Sequence, residues 1–284
     1  MGQIRIVTDS TADLPSALVE RHNITAVPLK VIFSDDEAYR DGLDITLDRF
    51  YERLAETPAS TSQPSPAEFL EVYKPWNAQG DQIISIHISA ALSGTVHSAQ
   101  AARALLPDSS IDVVDSKGAS LPLGMAVLAA ARAAQSGRNR EEILALVNRI
   151  LSTTRTFFLV DTLDYLQRGG RIGRAQAFLG TLLNIKPLLT LGDGLVCPFE
   201  KVRGRAKGLE RLAALLGEAA SAGRLQYGVV HGNSPALFEE LKTTLADRVG
   251  FGPSLTARVG SVVGAHVGPS VIGFSYHEAV EEQA

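Results

Sequence analysis

The strongest restriction on the fold of this chain is a repeated alternation of short apolar segments with helical patterns. Each apolar segment is bounded by polar residues, and segments with apolar residues at helical spacing lie between them. Because consecutive strands that are joined through helices pair in parallel, this alternation predicts a mostly parallel sheet with helices on both faces. The predicted strands are 4–7, 27–33, 83–86 and 111–114.

Polar residues stand directly after several of these predicted strands. Asp9, the segment Ser89–Thr95, and Asp115 with Ser116 all occupy such positions. Open parallel sheets bind ligands beyond the carboxyl ends of their strands, so these residues are candidates for binding or catalysis. The alternative for Asp9, Asp115 and Ser116 is structural, since such side chains also cap helices and bind loop amides.

The pattern changes after about residue 155. The apolar segments 185–191 and 195–201 flank Gly192-Asp193-Gly194, and because these turn residues accept positive φ angles, they predict a β-hairpin. We therefore expect an α/β fold of two domains. A parallel-sheet α/β/α domain would cover 1–155, and an α+β domain with a mainly antiparallel sheet would cover 156–284.

Composition excludes several classes of protein. The 284 residues are 45% hydrophobic, which is typical of a folded chain of about two domains. With 27 basic and 31 acidic residues, the net charge of −4 gives no general attraction to nucleic acid or anionic membranes. Cys197 is the single cysteine, so the sequence predicts neither an internal disulfide nor a zinc site of several thiolates.

The apolar segments also favour a protein without an integral membrane segment. The first apolar run is interrupted at Asp9, so it does not resemble a signal peptide. The nearly uncharged stretch 119–131 is shorter than the roughly 20 residues that span a bilayer, and Pro122 is expected to break it. We expect a cytoplasmic protein, monomeric by default, with no metal and no cofactor.

Three short polar motifs are candidates for ligand binding. Ser93-Gly94-Thr95 follows a predicted strand and begins a helix, where free backbone N–H groups favour an anion. Thr61-Ser62-Gln63 offers hydroxyl and amide donors, and His266 stands among glycines that something can approach. The structural alternatives are an ordinary N-cap at Ser93, a plain connection at 61–63, and a turn histidine bonded to a neighbouring carbonyl.

Two clusters of basic residues are the remaining candidates. Arg168, Arg171 and Arg174 lie on a glycine-rich bend, and Arg203 stands between Lys201 and Arg205 after the predicted hairpin. A solvated basic surface is the default interpretation of both clusters. Contact with a phosphate or an acidic partner is the alternative, mainly for the first.

Several motifs taken together carry a resemblance to a known family. They are IVTDSTADLP at 6–15, YRDG at 39–42, TSQPS at 61–65, ISAALSGT at 88–95, VVDSK at 113–117, YLQRGGRIG at 165–173, KPLL at 186–189 and GAHVGP at 264–269. Their order and spacing resemble the DegV family of bacterial lipid-binding proteins, which includes the FakB fatty-acid-carrying subunits. The resemblance extends over about 3–282.

The resemblance implies that a long-chain fatty acid, such as palmitate or oleate, lies in an apolar tunnel between two domains. By motif position, Thr61 and Ser93 would bind its carboxylate, and His266 of the second domain would lie close to it. Ser62 and the backbone at Gly94–Thr95 would assist. Burying the tail of a sixteen-carbon acid supplies roughly 12 kcal/mol of gross driving force, at about 0.8 kcal/mol per methylene. Neutral hydroxyl donors would satisfy the head group without a fixed cation.

The resemblance further implies a partner protein, and this sequence departs from the family pattern at two places. In FakB-type members a separate fatty acid kinase phosphorylates the bound acid for phospholipid synthesis, so Arg171 and Arg203 become candidates for contact with that kinase or with the phosphorylated head group. Ser270 stands where the family usually has glycine, and Val96 and His97 replace other polar or aromatic residues. The first departure is expected to alter the backbone beside the GAHVGP motif.

Two other functions stay open on the sequence. Ser93 as nucleophile with His266 as base would make a serine acyl hydrolase or transferase, although no G-x-S-x-G motif surrounds any serine. A lipid-sensing regulatory module is the third possibility, and the lack of a basic helix-turn-helix pattern argues against direct DNA contact. The carrier interpretation, which has no catalytic residue, is our leading hypothesis.

Overall fold

The computed structural model describes residues 2–180 and 184–280, and it contains thirteen strands and ten α-helices in those residues. In chain order the strands are β1 Ile4–Asp9, β2 Thr25–Val27, β3 Lys30–Ser34, β4 Glu37–Arg40, β5 Ser60–Ser62, β6 Gln82–His87, β7 Ile111–Asp115, β8 Arg155–Leu159, β9 Ile185–Gly192, β10 Leu195–Arg203, β11 Leu225–His231, β12 Leu255–Arg258 and β13 Ile272–Glu278. The helices are α1 Ser16–Arg21, α2 Leu47–Glu56, α3 Pro66–Asn77, α4 Thr95–Ala104, α5 Leu121–Gln135, α6 Arg140–Thr153, α7 Asp164–Arg168, α8 Arg205–Ala222, α9 Pro235–Val249 and α10 Ser261–Val267.

A four-stranded sheet in the order β2-β1-β6-β7 forms the centre of the N-terminal half. All three of its strand pairs are parallel, as the alternation of strands and helices predicted. Helices α3 and α4 pack on one face of this sheet, and α5 with α6 pack on the other. The expected α/β/α arrangement of the N-terminal half is therefore confirmed.

A small antiparallel sheet in the order β4-β3-β5 was not predicted. The segment 27–33, expected as one strand, is divided between β2 and β3 at Pro28, which has no backbone N–H to continue a ladder. The segment 61–63, for which a plain connection was the structural alternative, contributes Thr61 and Ser62 to β5, where Thr61 lies opposite Val31. Pairing with a strand about thirty residues earlier fixes these two side chains in place.

A six-stranded sheet in the order β10-β9-β8-β13-β11-β12 forms the centre of the C-terminal half. Its pairs are antiparallel except for the parallel pair β11–β12, which confirms the expected mainly antiparallel sheet. The predicted hairpin is confirmed as β9 and β10. Its turn residues Asp193 and Gly194 have φ angles of 51° and 78°, as a primed turn requires.

Helix α5 packs between the two large sheets. Leu123 and Val127 face the parallel sheet, whereas Leu121, Met125 and Leu128 face the antiparallel sheet. A helix that is apolar all round must be covered on all sides, and eleven of the fifteen residues of α5 are buried. The two halves of the molecule therefore share one buried helix.

Local signals explain where several helices begin. Asn followed three residues later by Glu predicts a capping box, and Asn139 and Glu142 form one at the start of α6. Pro122 was expected to break the stretch 119–131, and that expectation was wrong. Pro122 lies in the first turn of α5, where a missing N–H costs nothing because that turn has no intrahelical acceptor for it.

The change from one sheet to the other occurs at β8, whose first residue is Arg155. The division into domains of 1–155 and 156–284 stays a prediction, and Met1 and residues 281–284 lie outside the described residues. None of the helices in the described ranges combines the length and hydropathy that crossing a bilayer requires. Likewise, residues 2–180 and 184–280 contain no group of three or more His, Cys, Asp or Glu side chains that could hold a metal ion.

Candidate functional site

A cavity of about 360 Å³ lies between helix α5, the antiparallel sheet and the loops beyond the parallel sheet. This volume is in the range of small-molecule sites, which are mostly apolar with a few placed polar groups. Aliphatic and aromatic side chains predominate in its lining, among them Ile88, Leu121, Phe158, Leu166, Val230 and Val271. The lining also includes six polar residues from the motifs quoted above, namely Thr61, Ser62, Gln63, Ser93, Arg171 and His266. We call these six residues the head-group cluster.

Thr61 and His266 come from opposite halves of the chain and meet in the cavity. The Thr61 hydroxyl lies 2.8 Å from His266 Nε2. Strand β5 places Thr61, and the last turn of α10 places His266, which the sequence interpretation had put in a turn. The other ring nitrogen, Nδ1, is buried and has no hydrogen-bond partner among the described residues.

The surroundings of His266 keep its ring uncharged at neutral pH. Burial, followed by the nearby positive charge of Arg171, lowers the pKa of His266 to about 4. A neutral imidazole carries one proton. With that proton on Nε2, the ring donates to the Thr61 oxygen, and the Thr61 hydroxyl proton is then available to a ligand oxygen.

Two buried carboxyl groups hold the start of α10, and therefore the position of His266. Asp13 Oδ1 accepts a hydrogen bond from the N–H of Gly260 at 3.0 Å, and Asp41 Oδ1 accepts one from the N–H of Ser261 at 3.0 Å. Burial is the main cause that raises the pKa of both Asp13 and Asp41. The sequence interpretation missed this role. Both aspartates stand in the motifs quoted above, but nothing there shows which helix they reach.

Ser93 does not cap helix α4. The N-cap position is Gly94, and no side chain caps this helix. The Ser93 hydroxyl lies 2.9 Å from the hydroxyl of Thr95, which is fully buried. The ordinary N-cap interpretation of Ser93 is therefore wrong, and its hydroxyl lines the cavity instead.

Gly94 permits a close approach that explains its place in the motif. A Cβ atom at position 94 would lie 2.1 Å from Oε1 of Gln63. Gln63 in turn donates from Nε2 to the hydroxyl of Ser98 at 3.1 Å. The absence of a side chain at Gly94 thus lets Gln63, which follows β5, lie against the start of α4. Neither Gly94 nor Thr95 lines the cavity itself.

A fixed cation lines the cavity, which corrects the expectation of a purely neutral set of donors. The Arg171 guanidinium donates from Nε to the Leu92 carbonyl at 3.2 Å and from Nη1 to the Gly169 carbonyl at 2.6 Å. Two loop carbonyls therefore hold this side chain beside Ser93 and His266. The arginine had been assigned only to partner or phosphate contact, because sequence spacing does not show that its bend folds back onto the cavity.

Other sequence candidates lie outside the cavity. Arg203 is exposed on β10 and is not part of the lining. Asp9 binds His87 and backbone N–H groups, Asp115 accepts from the N–H groups of Ala90 and Lys117, and the Ser116 hydroxyl bonds within its own loop. These three residues take the structural role that was the alternative at the strand ends.

Ser270 has a specific contact where the resemblance leads one to expect glycine. Its hydroxyl accepts a hydrogen bond from the N–H of Asp161 at 3.2 Å. The Asp161 carboxylate also binds Lys186 at 2.9 Å and Arg205. The segment after α10 is therefore tied to the end of β8. In the second departure, Val96 is buried and His97 is exposed, and neither residue is part of the cavity lining.

The arrangement offers donors to an anion but no nucleophile–base relay. No hydrogen bond joins Ser93 to His266 in the part of the chain that the structure describes, since the first bonds Thr95 and the second bonds Thr61. No carboxylate orients the His266 ring, because its Nδ1 atom is without a partner among the same residues. The Ser-His-Asp arrangement that activates a serine for acyl transfer uses both contacts.

Comparison with known proteins gives consistent results over the whole chain. Residues 3–279 match the family model described as "Uncharacterised protein, DegV family COG1307". The DegV domain-containing protein SCO2569 of Streptomyces coelicolor is 41% identical over 273 residues, which cover 95% of this chain and 96% of that protein.

Two solved structures have the same fold. A DegV family protein from Thermus thermophilus, described with fatty acid binding, is 38% identical with a TM-score of 0.90, and the match covers 98% of this chain and 100% of that one. A stearic acid-binding protein from Eubacterium ventriosum is 29% identical with a TM-score of 0.89, and the match covers 97% and 98% of the two chains.

Proposed function

Because this chain belongs to the DegV family, we propose that it binds one long-chain fatty acid, such as palmitate or oleate, in the cavity and carries it. The observation that supports this most directly is the apolar cavity with Thr61, Ser93 and His266 in its wall. The related structures from Thermus thermophilus and Eubacterium ventriosum, which are described as binding fatty acid, add support. The protein acts as a carrier and not as an enzyme.

The acyl tail supplies the driving force, and the head-group cluster makes binding specific for a carboxylate. Burying the chain of a sixteen-carbon acid is worth roughly 12 kcal/mol before the costs of association. An unpaired carboxylate in the same cavity would cost several kcal/mol. The hydroxyls of Thr61 and Ser93 donate to its oxygens, and Ser62 and the backbone at the start of α4 assist.

Arg171 balances the charge of the bound acid without enclosing it. Two of its nitrogen atoms are committed to the carbonyls of Leu92 and Gly169, so it acts mainly as a nearby positive charge and not as a bidentate clamp. One carboxylate oxygen therefore stays open to a later reaction. We propose that a separate fatty acid kinase phosphorylates this oxygen for phospholipid synthesis, and that exposed Arg203 contacts that kinase.

Binding to delipidated protein tests the proposal. We expect saturable binding of palmitate or oleate with one site per chain, measured by titration calorimetry after solvent extraction and refolding. A shorter control acid such as octanoate should bind at least 100-fold more weakly, because each lost methylene removes about 0.8 kcal/mol. Absence of saturable binding for both long-chain acids would refute the proposal.

The serine hydrolase alternative makes a different prediction for the same protein. A fluorophosphonate would label Ser93 covalently if that residue were an activated nucleophile. We expect no labelling, because His266 Nε2 is engaged by Thr61. Covalent modification of Ser93 together with release of free acid from an acyl ester would favour the enzyme.

A further inference from the structure

A second polar group lines the cavity away from the head-group cluster. The hydroxyls of Thr156 and Ser275 lie 2.9 Å apart, and both residues are part of the lining. The two residues stand directly opposite each other on β8 and β13. Ser275 is fully buried, so its hydroxyl has no access to bulk water.

The register of β8 and β13 gives the position of this pair along the cavity. At one end of the ladder the N–H of Asp161 bonds Ser270, just after helix α10 with His266. Thr156 lies five residues before Asp161, and Ser275 lies five residues after Ser270. At about 3.3 Å per residue, the hydroxyl pair is roughly 16 Å along the sheet from the Asp161–Ser270 contact that follows α10.

Apolar residues separate the two polar positions. Phe158 and Val271 line the cavity between Thr156–Ser275 and the Asp161–Ser270 contact, and Leu191 and Val196 lie beside Thr156 on the same face of the sheet. An acyl chain with its carboxylate at Thr61 and Ser93 would therefore pass apolar contacts first. Its far end would then reach the Thr156–Ser275 pair.

The chemistry of the pair indicates which group it accepts. Two hydroxyls joined by one hydrogen bond retain a second proton and several lone pairs, so they can donate to and accept from one further group. A methyl terminus can use neither the remaining proton nor the lone pairs, whereas a hydroxyl group of a ligand can bond to both. No carboxylate or cation of the described chain lines the cavity at this point, which favours a neutral group over a charged one.

We infer that the cavity accepts long-chain acids that carry a hydroxyl group at the far end of the chain, and that Thr156 and Ser275 recognise that hydroxyl. This inference rests on the proposed fatty acid binding and names the class of acid that is preferred. The hydroxyl of the ligand accepts a hydrogen bond from one side chain and donates one to the other. The carboxylate contacts stay as proposed above.

A comparison of two acids in two proteins tests this assignment. The ratio of the Kd of palmitate to the Kd of 16-hydroxypalmitate is measured for the wild type and for the Thr156→Val/Ser275→Ala variant. We expect this ratio to fall about tenfold in the variant, which corresponds to about 1.4 kcal/mol. The binding of 2-hydroxypalmitate, whose hydroxyl lies at the head group, should change by the same factor as that of palmitate.

Two further variants separate recognition from packing. Thr156→Ser keeps a hydroxyl and should retain most of the wild-type ratio. Thr190→Val removes a neighbouring hydroxyl that donates to the Thr156 carbonyl but does not line the cavity, and it should leave the ratio unchanged.

The outcomes are distinct. A ratio that is the same within twofold in the wild type and the double variant overturns the inference and means that the pair binds only water or its own partner. If the wild type binds neither palmitate nor 16-hydroxypalmitate, the proposed function itself fails, and the inference fails with it.

Discussion

His87 and His266 are both enclosed histidines whose Nε2 atoms lie close to a hydroxyl oxygen. His87 Nε2 is 2.6 Å from the Ser85 hydroxyl, and His266 Nε2 is 2.8 Å from the Thr61 hydroxyl. The second ring nitrogen distinguishes them. His87 Nδ1 bonds Asp9 at 3.0 Å, whereas His266 Nδ1 has no partner among the described residues.

The rest of each environment strengthens this contrast. His87, Ser85, Asp9 and Tyr73 are all fully buried, and the Tyr73 hydroxyl lies 2.7 Å from that of Ser85. This closed network resembles a catalytic triad in composition, yet no ligand can reach it. His266 lines the cavity instead. Residue types alone therefore do not identify a binding site. A site is indicated by polar atoms that lack a hydrogen-bond partner and by a cavity through which a ligand can reach them.

The largest effect in this comparison is expected at Asp9. Asp9→Ala removes the acceptor for Thr11, His87 and the N–H of Ile88 and leaves buried donors without partners. We expect the free energy of unfolding to fall by about 3–5 kcal/mol. Urea denaturation followed by circular dichroism measures this change.

Asp115→Ala is the matched control for Asp9, because each of the two residues is the last residue of a strand in the same sheet. It loses two hydrogen bonds with loop N–H groups and should cost only about 1–2 kcal/mol. Equal losses of stability in the two variants would contradict the view that the Asp9–His87 network is a structural centre.

The next effect concerns binding and not stability. Thr61→Val and Ser93→Ala each remove one hydroxyl that we propose donates to the carboxylate. A hydrogen bond to a charged group is worth about 1.5–3 kcal/mol, so the Kd of palmitate should rise about 10- to 100-fold. The free energy of unfolding should change by less than about 1 kcal/mol. Ser60→Ala, one residue before Thr61 on β5 and outside the cavity lining, is the control that should bind normally.

The smallest effect is a pH dependence specific to His266. Its pKa of about 4 in the folded chain is below the ordinary value of 6.5, so as the pH falls the unfolded chain takes up this proton first. Stability that is present above pH 6.5 is therefore lost as the pH falls toward 4, and the loss between pH 6.5 and pH 5 should be about 1–2 kcal/mol. The His266→Gln variant should lack this part of the slope. If the free energy of unfolding of the wild type and that of the His266→Gln variant changed by the same amount between pH 6.5 and 4, the result would be inconsistent with a buried neutral His266 ring.

Local sequence signals predicted the elements that depend on neighbouring residues. The capping box at Asn139, the primed turn at Asp193 and the parallel strands with polar ends all follow from short-range chemistry. The same signals failed where distant pairing decides the structure. Strand β5 exists because it pairs with β3, and no feature of 60–62 itself indicates that partner.

The candidate site shows the same limit. The hydroxyls at Thr61 and Ser93 were identified from their motifs, whereas the place of Arg171 in the cavity wall was not. The Gly169 carbonyl that holds this arginine lies in its own bend, but the Leu92 carbonyl is 79 residues away in sequence, and only the folded chain brings it to Arg171. The support of α10 by Asp13 and Asp41 spans more than 200 residues of sequence and could not be derived from spacing.

Mass spectrometry of the purified protein tests the central claim most directly. Protein expressed in a bacterial host is measured under native conditions and then after denaturation, so that any bound acid is first counted and then identified. We predict one long-chain fatty acid per chain in the wild type and a clear loss of it in the Thr61→Val/Ser93→Ala double variant. A wild-type protein that carries no lipid, or a double variant that keeps the same acid at full occupancy, would contradict the account.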